Sequence, residues 1–136
     1  MAILIDTSVL IATERGELSL RAVLDRTEQV AISVVTAAEL LHGVHRADPA
    51  RATTRTAYVE AILEGVPTLP IDMLIARTYA RLSASLTAGG TRIKMNDLWI
   101  AATAIAHNFQ LMATDADFDR VPGLRRAPIG DIPRPR

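Results

Sequence analysis

The chain has 136 residues, 49% of them hydrophobic and 22% charged. That balance suits one globular domain and excludes a disordered or fibrous chain. It has no cysteine, which excludes disulfide scaffolds, cysteine-ligated metal sites and thiol nucleophiles. Fifteen basic and fifteen acidic residues cancel, so total charge gives no electrostatic case for a nucleic-acid partner.

Met1–Ala12 is apolar but lacks the basic start of a signal peptide, and Asp6 interrupts it. The longest apolar runs, near Val30–Ala38 and Leu98–Ala106, fall short of the ~20 residues that span a bilayer. A soluble cytoplasmic protein with no membrane association is expected. Residues 1–136 are expected to form a single domain, with a Pro/Arg-rich tail at 128–136 that frays.

Ala2–Ile5 is a continuous apolar run, as a strand buried on both faces would be. Asp6, Thr7 and Ser8 follow as a helix start. Leu18–Glu28 reads as a helix and Val30–Ile32 as a second buried strand. Val34–Arg46 reads as a helix, with Thr36 and Glu39 at capping-box spacing. On its wheel Val34, Ala37, Ala38, Leu41 and Val44 form the apolar face. Glu39 lies nearly opposite and is free to enter a cleft. Pro49 opens a helix that runs to Glu64 and is capped by Gly65. Val66–Ile71 holds two prolines, so it is at best an edge strand. Asp72–Leu86 is helical and stops at Gly89-Gly90. Asn96–His107 is helical, with Asn96 as cap and Asn108 as a left-handed terminator. Gln110–Ala113 reads as a strand, and Arg125–Ile129 as a short last one.

Strands alternating with helices imply an α/β fold, a three-layer α/β/α arrangement around a short, mostly parallel sheet of four to five strands. Ligands bind such sheets beyond the carboxyl ends of the strands. Asp6 follows the first strand at that end, and Asp115 follows the strand ending at Ala113. Asp97 sits in the first turn of the helix before that strand, and Glu39 is a fourth candidate. Singly, each acid has an ordinary explanation as a cap, a turn residue or a dipole partner. Together in one cleft they repel one another and call for compensating positive charge. No lysine or histidine closely follows a strand to provide it. A divalent cation does, and oxygen-only ligands favour magnesium or manganese.

Other chemistries fail on spacing. Neither GxxxxGK[ST] nor GxGxxG is present. Ser8 stands where aspartate-based phosphotransfer needs a second aspartate. Asp115, Asp117 and Asp119 begin like a calcium loop, but Arg120 and Arg126 replace its glycine and closing glutamate.

Four segments together resemble PIN-domain nucleases. Ile3-Leu4-Ile5-Asp6-Thr7-Ser8-Val9-Leu10 resembles their opening, and Ser33–Val44 their second motif, around Glu39. Asn96-Asp97-Leu98-Trp99-Ile100-Ala101-Ala102-Thr103-Ala104 resembles the third, and Leu111–Phe118, around Asp115, the fourth. The motifs occur in the family's order across almost the whole chain, and the compact length looks most like the VapC toxins of toxin–antitoxin pairs. The resemblance implies an endoribonuclease dependent on Mg2+, with Mn2+ as a substitute. Asp6, Asp97 and Asp115 would ligate the metal, Glu39 would complete the shell or orient water, and Asp117 is a possible helper. Thr7, Ser8 and Thr114 would contact phosphate or metal-bound water, or simply cap helices and form turns.

With four acids in a site, fifteen bases face eleven remaining acids. Arg92 and Lys94, just before Asp97, are the best-placed RNA contacts, although solvated loop charges explain them equally well. Leu98–Ala106 and the segment from Pro49 to Leu86 are rich in apolar residues. The resemblance implies that part of this surface forms a homodimer and an apolar groove where a cognate antitoxin binds and covers the acidic site. Two other readings keep the fold but change the function. One is a catalytically silent module that binds RNA or protein, which four intact acids disfavour. The other is a metal-dependent small-molecule phosphatase, which lacks a Gly-rich phosphate cradle.

Overall fold

The computed structural model describes residues 2–25 and 29–130. Four parallel strands, β1 (Ala2–Ile5), β2 (Gln29–Ser33), β3 (Thr68–Leu69) and β4 (Gln110–Met112), form one sheet in the order β3-β2-β1-β4. Between them run α1 (Thr7–Glu14), α2 (Leu20–Leu24), α3 (Val34–Arg46), α4 (Pro49–Gly65), α5 (Met73–Ala88) and α6 (Met95–Ala106). A 3-10 turn, Ala116–Arg120, follows β4. This is the three-layer α/β architecture expected.

The sheet separates two cores. Side chains alternate across a strand, so Ile3, Ile5, Ile32 and Met112 enter one core, with residues of α1 to α4. Leu4, Ala31, Leu111 and Ala113 enter the other, with residues of α5 and α6. Leu4 pairs with Ala31 on one side and Leu111 on the other. This explains why the first strand reads as an unbroken apolar run. Helix α6 is absorbed by the second core, which buries Leu98, Ile100, Ala101, Ala102, Thr103 and Ala104. Trp99 stacks on Tyr79 of α5 with centroids 3.7 Å apart. The apolar surplus of α6 is therefore core rather than partner surface. Large apolar side chains remain exposed at Ile11, Val34, Ile71, Met73 and Leu74, and at Met95, the first residue of α6.

Several local expectations are corrected. The helix expected over Leu18–Glu28 is the single turn α2, capped by Ser19; Arg26–Glu28 lie outside the described residues. Ser33, not Thr36, caps α3 by accepting from Val35 N–H, so there is no capping box. Thr36 is instead buried together with Ala37 and Leu40, while Val34 and Ala38 are exposed. The buried stripe is thus rotated and Glu39 flanks it beside Thr36. Gly65 is the last residue of α4 and Val66 its cap. Lys94 rather than Asn96 occupies the cap position of α6. The last strand reduces to one bridge, Leu111 with Arg126. The tail is described to Gly130, and its remainder lies outside the described residues. Asn108 does take the left-handed conformation, with φ 57°, and Gly90 turns the chain after α5 with φ 73°. No helix among the described residues is long and apolar enough to cross a membrane.

The double burial of β1 makes a measurable claim. Leu4 is fully buried, so Leu4→Ala should cost about 2–5 kcal/mol in urea denaturation. A cost below about 1 kcal/mol would mean that the site relaxes as a close-packed centre would not.

Candidate active site

Parallel pairing fixes where the acids meet. Ile5 is in register with Met112, so β1 and β4 end side by side. Asp6 N–H donates to Met112 C=O at 2.8 Å, extending the pairing one residue beyond the strand. Asp6 then caps α1: its Oδ2 accepts from Ser8 N–H at 3.1 Å and from Ser8 Oγ–H at 2.5 Å. The hydroxyl of Ser8 also accepts from Thr114 N–H at 3.1 Å, tying the first acid to the loop that carries Asp115. Asp6 is buried, and its other oxygen, Oδ1, is buried with no hydrogen-bond partner among the described residues. A carboxylate oxygen out of water without a donor is costly.

The opposite wall is Glu39. The Thr7 hydroxyl lies 2.8 Å from Glu39 Oε1 and 3.0 Å from Thr36 Oγ1. A carboxylate can only accept, so Thr7 gives its proton to Glu39. Asp6, Thr7, Ser8, Glu39, Lys94, Asn96, Asp97 and Asp115 share one open cleft of about 390 Å³, with Ile11 and Met95 as its apolar walls. Asp115 caps the 3-10 turn by accepting from Asp117 N–H at 2.8 Å.

The electrostatics are those of like charges in a partly dry space. Burial pushes the Asp6 carboxyl above its ordinary range, the bonds from Ser8 pull it back, and the Asp115 charge raises it further. Burial lifts Asp97 from 3.8 to about 6, followed by the charges of Asp6, Asp115 and Glu39, with Lys94 in weak opposition. Asp97 therefore senses the other three acids, and Asp6 senses Asp115. Among the described residues, however, no three histidine or acidic side chains converge into a ready-made metal cage. The arrangement is an open acidic cleft, unlike the closed ligand set of a structural metal site.

The other candidates divide. Lys94 lines the cleft, whereas Arg92 opens onto a separate depression with Ser83, Leu86 and Thr87. Asp117 pairs with Arg120 and stays outside the cleft lining. Thr114 contributes its backbone N–H to Ser8. Two residues were not anticipated. Thr36 supports the Thr7–Glu39 contact from the buried face of α3; a threonine one turn ahead of a glutamate was the available signal. Arg126 holds the Asp115 loop from below: it donates to Ala113 C=O at 2.6 Å, pairs with Asp119 at 2.8 Å and lies 6.0 Å from the Phe118 ring. Its place among Leu124, Ala127 and Ile129 hinted at burial.

A four-stranded parallel sheet with acids gathered at its carboxyl edge defines a class of protein, and comparison names it. Residues 3–124 match the PIN domain, and the chain belongs to the PIN-domain family. Relatives within that family include VapC proteins. It is 41% identical over 130 residues to ribonuclease VapC5 of Mycobacterium tuberculosis, covering 92% of this chain and 91% of that one. It is 32% identical over 126 residues to ribonuclease VapC of Rickettsia bellii, covering 91% and 93%. Among solved structures, VapBC-5 of the VapBC toxin–antitoxin family, from M. tuberculosis, superposes with a TM-score of 0.76 at 35% identity, covering 93% of this chain and 100% of that one. VapBC2 of Rickettsia felis gives a TM-score of 0.84 at 23% identity, covering 93% and 98%; at that identity the likeness concerns the fold.

Crowding the acids makes the cleft a cost to the fold. The Asp97 carboxyl titrates near 6 when folded against 3.8 ordinarily, so the folded chain holds the proton more tightly. Stability linked to Asp97 is thus greatest below the ordinary value and is lost as pH rises to about 6. In EDTA at neutral pH, Asp97→Asn should raise the melting temperature by roughly 2–5 °C, after discounting for partial exposure. The gain should shrink as pH falls from 6 to 4. A variant no more stable than wild type at neutral pH would contradict the repulsion.

Proposed function

We propose that the chain is a divalent-metal-dependent endoribonuclease and the toxin of a toxin–antitoxin pair. The observation that carries this reading is the unpartnered, buried Asp6 Oδ1, at a cleft that Glu39, Asp97 and Asp115 also line. An orphaned oxygen among mutually repelling carboxylates is a donor set suited to a hard cation. Magnesium keeps several of its waters and takes only one or two carboxylates directly, with substrate phosphate filling other positions. An open cleft without a three-residue cage fits that habit.

Asp6, Asp97 and Asp115 would hold the ion directly or through water. When bound, Mg2+ supplies Lewis-acid polarisation of the phosphoryl oxygens and lowers the pKa of a neighbouring water. Glu39, fixed by Thr7, orients the water that attacks the phosphorus. Ser8 keeps Asp6 Oδ2 occupied, so Oδ1 is the oxygen left without a donor among the described residues. Lys94 at the rim offers positive charge to the RNA backbone. Ribonuclease and toxin–antitoxin names among the relatives support both halves of the proposal. In this reading a cognate antitoxin covers the acidic cleft, and a second copy of the chain covers some of the exposed apolar side chains at Val34, Ile71, Met73 and Leu74. The protein would work in the cytoplasm.

The test is cleavage of total RNA by the purified protein with Mg2+, with EDTA and with an Asp6→Asn variant. Discrete fragments that disappear with EDTA, and fall by at least about 100-fold in the variant, are expected. Equal cutting by wild type and variant would move the chemistry elsewhere, and turnover of p-nitrophenyl phosphate without RNA cleavage would favour a phosphatase.

A pH profile gives a second check. Asp97 must be ionised to bind a cation, and its carboxyl titrates near 6. Both Mg2+ affinity and cleavage should therefore drop as pH falls through 6, and both should be level above about 7. A profile unchanged down to pH 5 would remove Asp97 from the metal site.

A further inference from the structure

The acidic cleft is one end of a longer depression. Ile11 and Glu39 wall the cleft and also a neighbouring chamber bounded by Leu40, Gly43 and Val59. That chamber shares Glu14, Arg15 and Arg55 with a third one of about 490 Å³, which Arg51, Thr54 and Tyr58 complete. Through these shared residues the three depressions adjoin one another as a stepped groove, from the acids past α1 toward the first turns of α4, with the Glu14–Arg55 ion pair among the shared walls.

Its charge changes sign along the way. The near end holds the four acids, whereas Arg15, Arg51 and Arg55 face a single acid, Glu14, at the far end. Glu14 pairs with Arg55 at 2.9 Å. The guanidinium groups of Arg15 and Arg51 are exposed and have no hydrogen bond or ion pair among the described residues. Tyr58 donates its hydroxyl proton to Leu10 C=O at 2.8 Å, so its ring is held in the groove wall.

We propose that this groove is the track of the single-stranded RNA flanking the scissile phosphate, with Arg15 and Arg51 on its phosphates and the Tyr58 ring against an unpaired base. The proposal rests on the ribonuclease reading above. An acid-lined cleft repels a polyanion, so a strand that enters it needs cationic surface on the approach. Arg92 opens elsewhere, leaving Lys94 on the rim and the arginine groove beyond Ile11 as the described cationic surfaces continuous with the cleft. Arginine forms bidentate bonds to phosphate, and unpaired bases pack on aromatic side chains. An acidic peptide would also match the arginines. Continuity with the acid cleft favours the strand whose own phosphate must reach it.

The test compares the full chain with Arg15→Gln/Arg51→Gln, and with Arg77→Gln/Arg81→Gln as a control of equal charge on exposed residues of α5. Binding of fluorescein-labelled oligouridylate is followed by anisotropy in EDTA across a salt series. The groove variant should bind about tenfold more weakly. Its plot of log affinity against log salt should be shallower by about 1.4, the value for two phosphate contacts to a single strand. The control should match wild type. With Mg2+, cleavage of the same RNA should fall in step with binding. If wild type cuts RNA and the groove variant binds and cuts equally well, the track is wrong and the ribonuclease reading stands. If wild type never cuts but the groove variant loses RNA affinity and slope, the groove is an RNA site and the ribonuclease reading falls. Weaker binding of polyglutamate with RNA binding unchanged would overturn the proposal in favour of an acidic protein partner.

Discussion

Everything at the carboxyl edge of the sheet depends on holding carboxylates together that repel one another. The parallel pairing of β1 with β4 imposes this. It ends two strands at the same edge and sets Asp6 beside the loop that carries Asp115. Helices α3 and α6 bring Glu39 and Asp97 to the same cleft. The cost appears directly, in an Asp97 carboxyl lifted to about 6 and an Asp6 carboxyl raised by burial. Two cores, one on each face of a sheet whose strand β1 is buried from Ile3 to Ile5, supply the stability against which that cost is borne.

The acids are positioned mostly by neutral groups. Ser8 holds Asp6 and the Thr114 backbone; Thr7 and Thr36 hold Glu39. Arg126 steadies the Asp115 loop through a carbonyl, a remote aspartate and a ring, and is not among the residues that line the acid cleft. A fixed cation pressed against the carboxylates would neutralise them permanently. Neutral donors keep their orientation while leaving their charge available, the condition a cleft must meet if it is to attract an exchangeable cation. Among the described residues Lys94 is the one cationic side chain in the lining of the acid cleft, and its effect on Asp97 is smaller than that of the surrounding acids.

Much of this was legible in order along the chain. The unbroken apolar run of β1 announces a strand covered on both sides, and Asp6 immediately after it marks the ligand edge of a parallel sheet. Asn108 was readable as a left-handed stop because it sits where a helix ends and a strand must begin. Helix caps were less legible. Ser33 and Thr36 both suit a cap, and Ser33 takes it because the chain leaves β2 there in extended backbone and Thr36 is already inside the helix, bonded to Thr7. Lys94 occupies a cap position with no side-chain bond, a case in which tertiary placement overrides local preference. The apolar surplus of α6 was ambiguous for the same reason: composition cannot tell a face covered by another helix from one covered by another molecule.

The sequence by itself determined the alternation of strands and helices, the family and the four acids, because each rests on local pattern and order. It could not determine which oxygen of Asp6 is left without a donor, which of Arg92 and Lys94 lines the acid cleft, or that Arg15 and Arg51 line a depression with residues far from them in the chain. Those facts depend on side chains from separate elements meeting across the carboxyl edge of the sheet. Only the folded packing, which fixes strand register and helix rotation together, brings them within reach of one another.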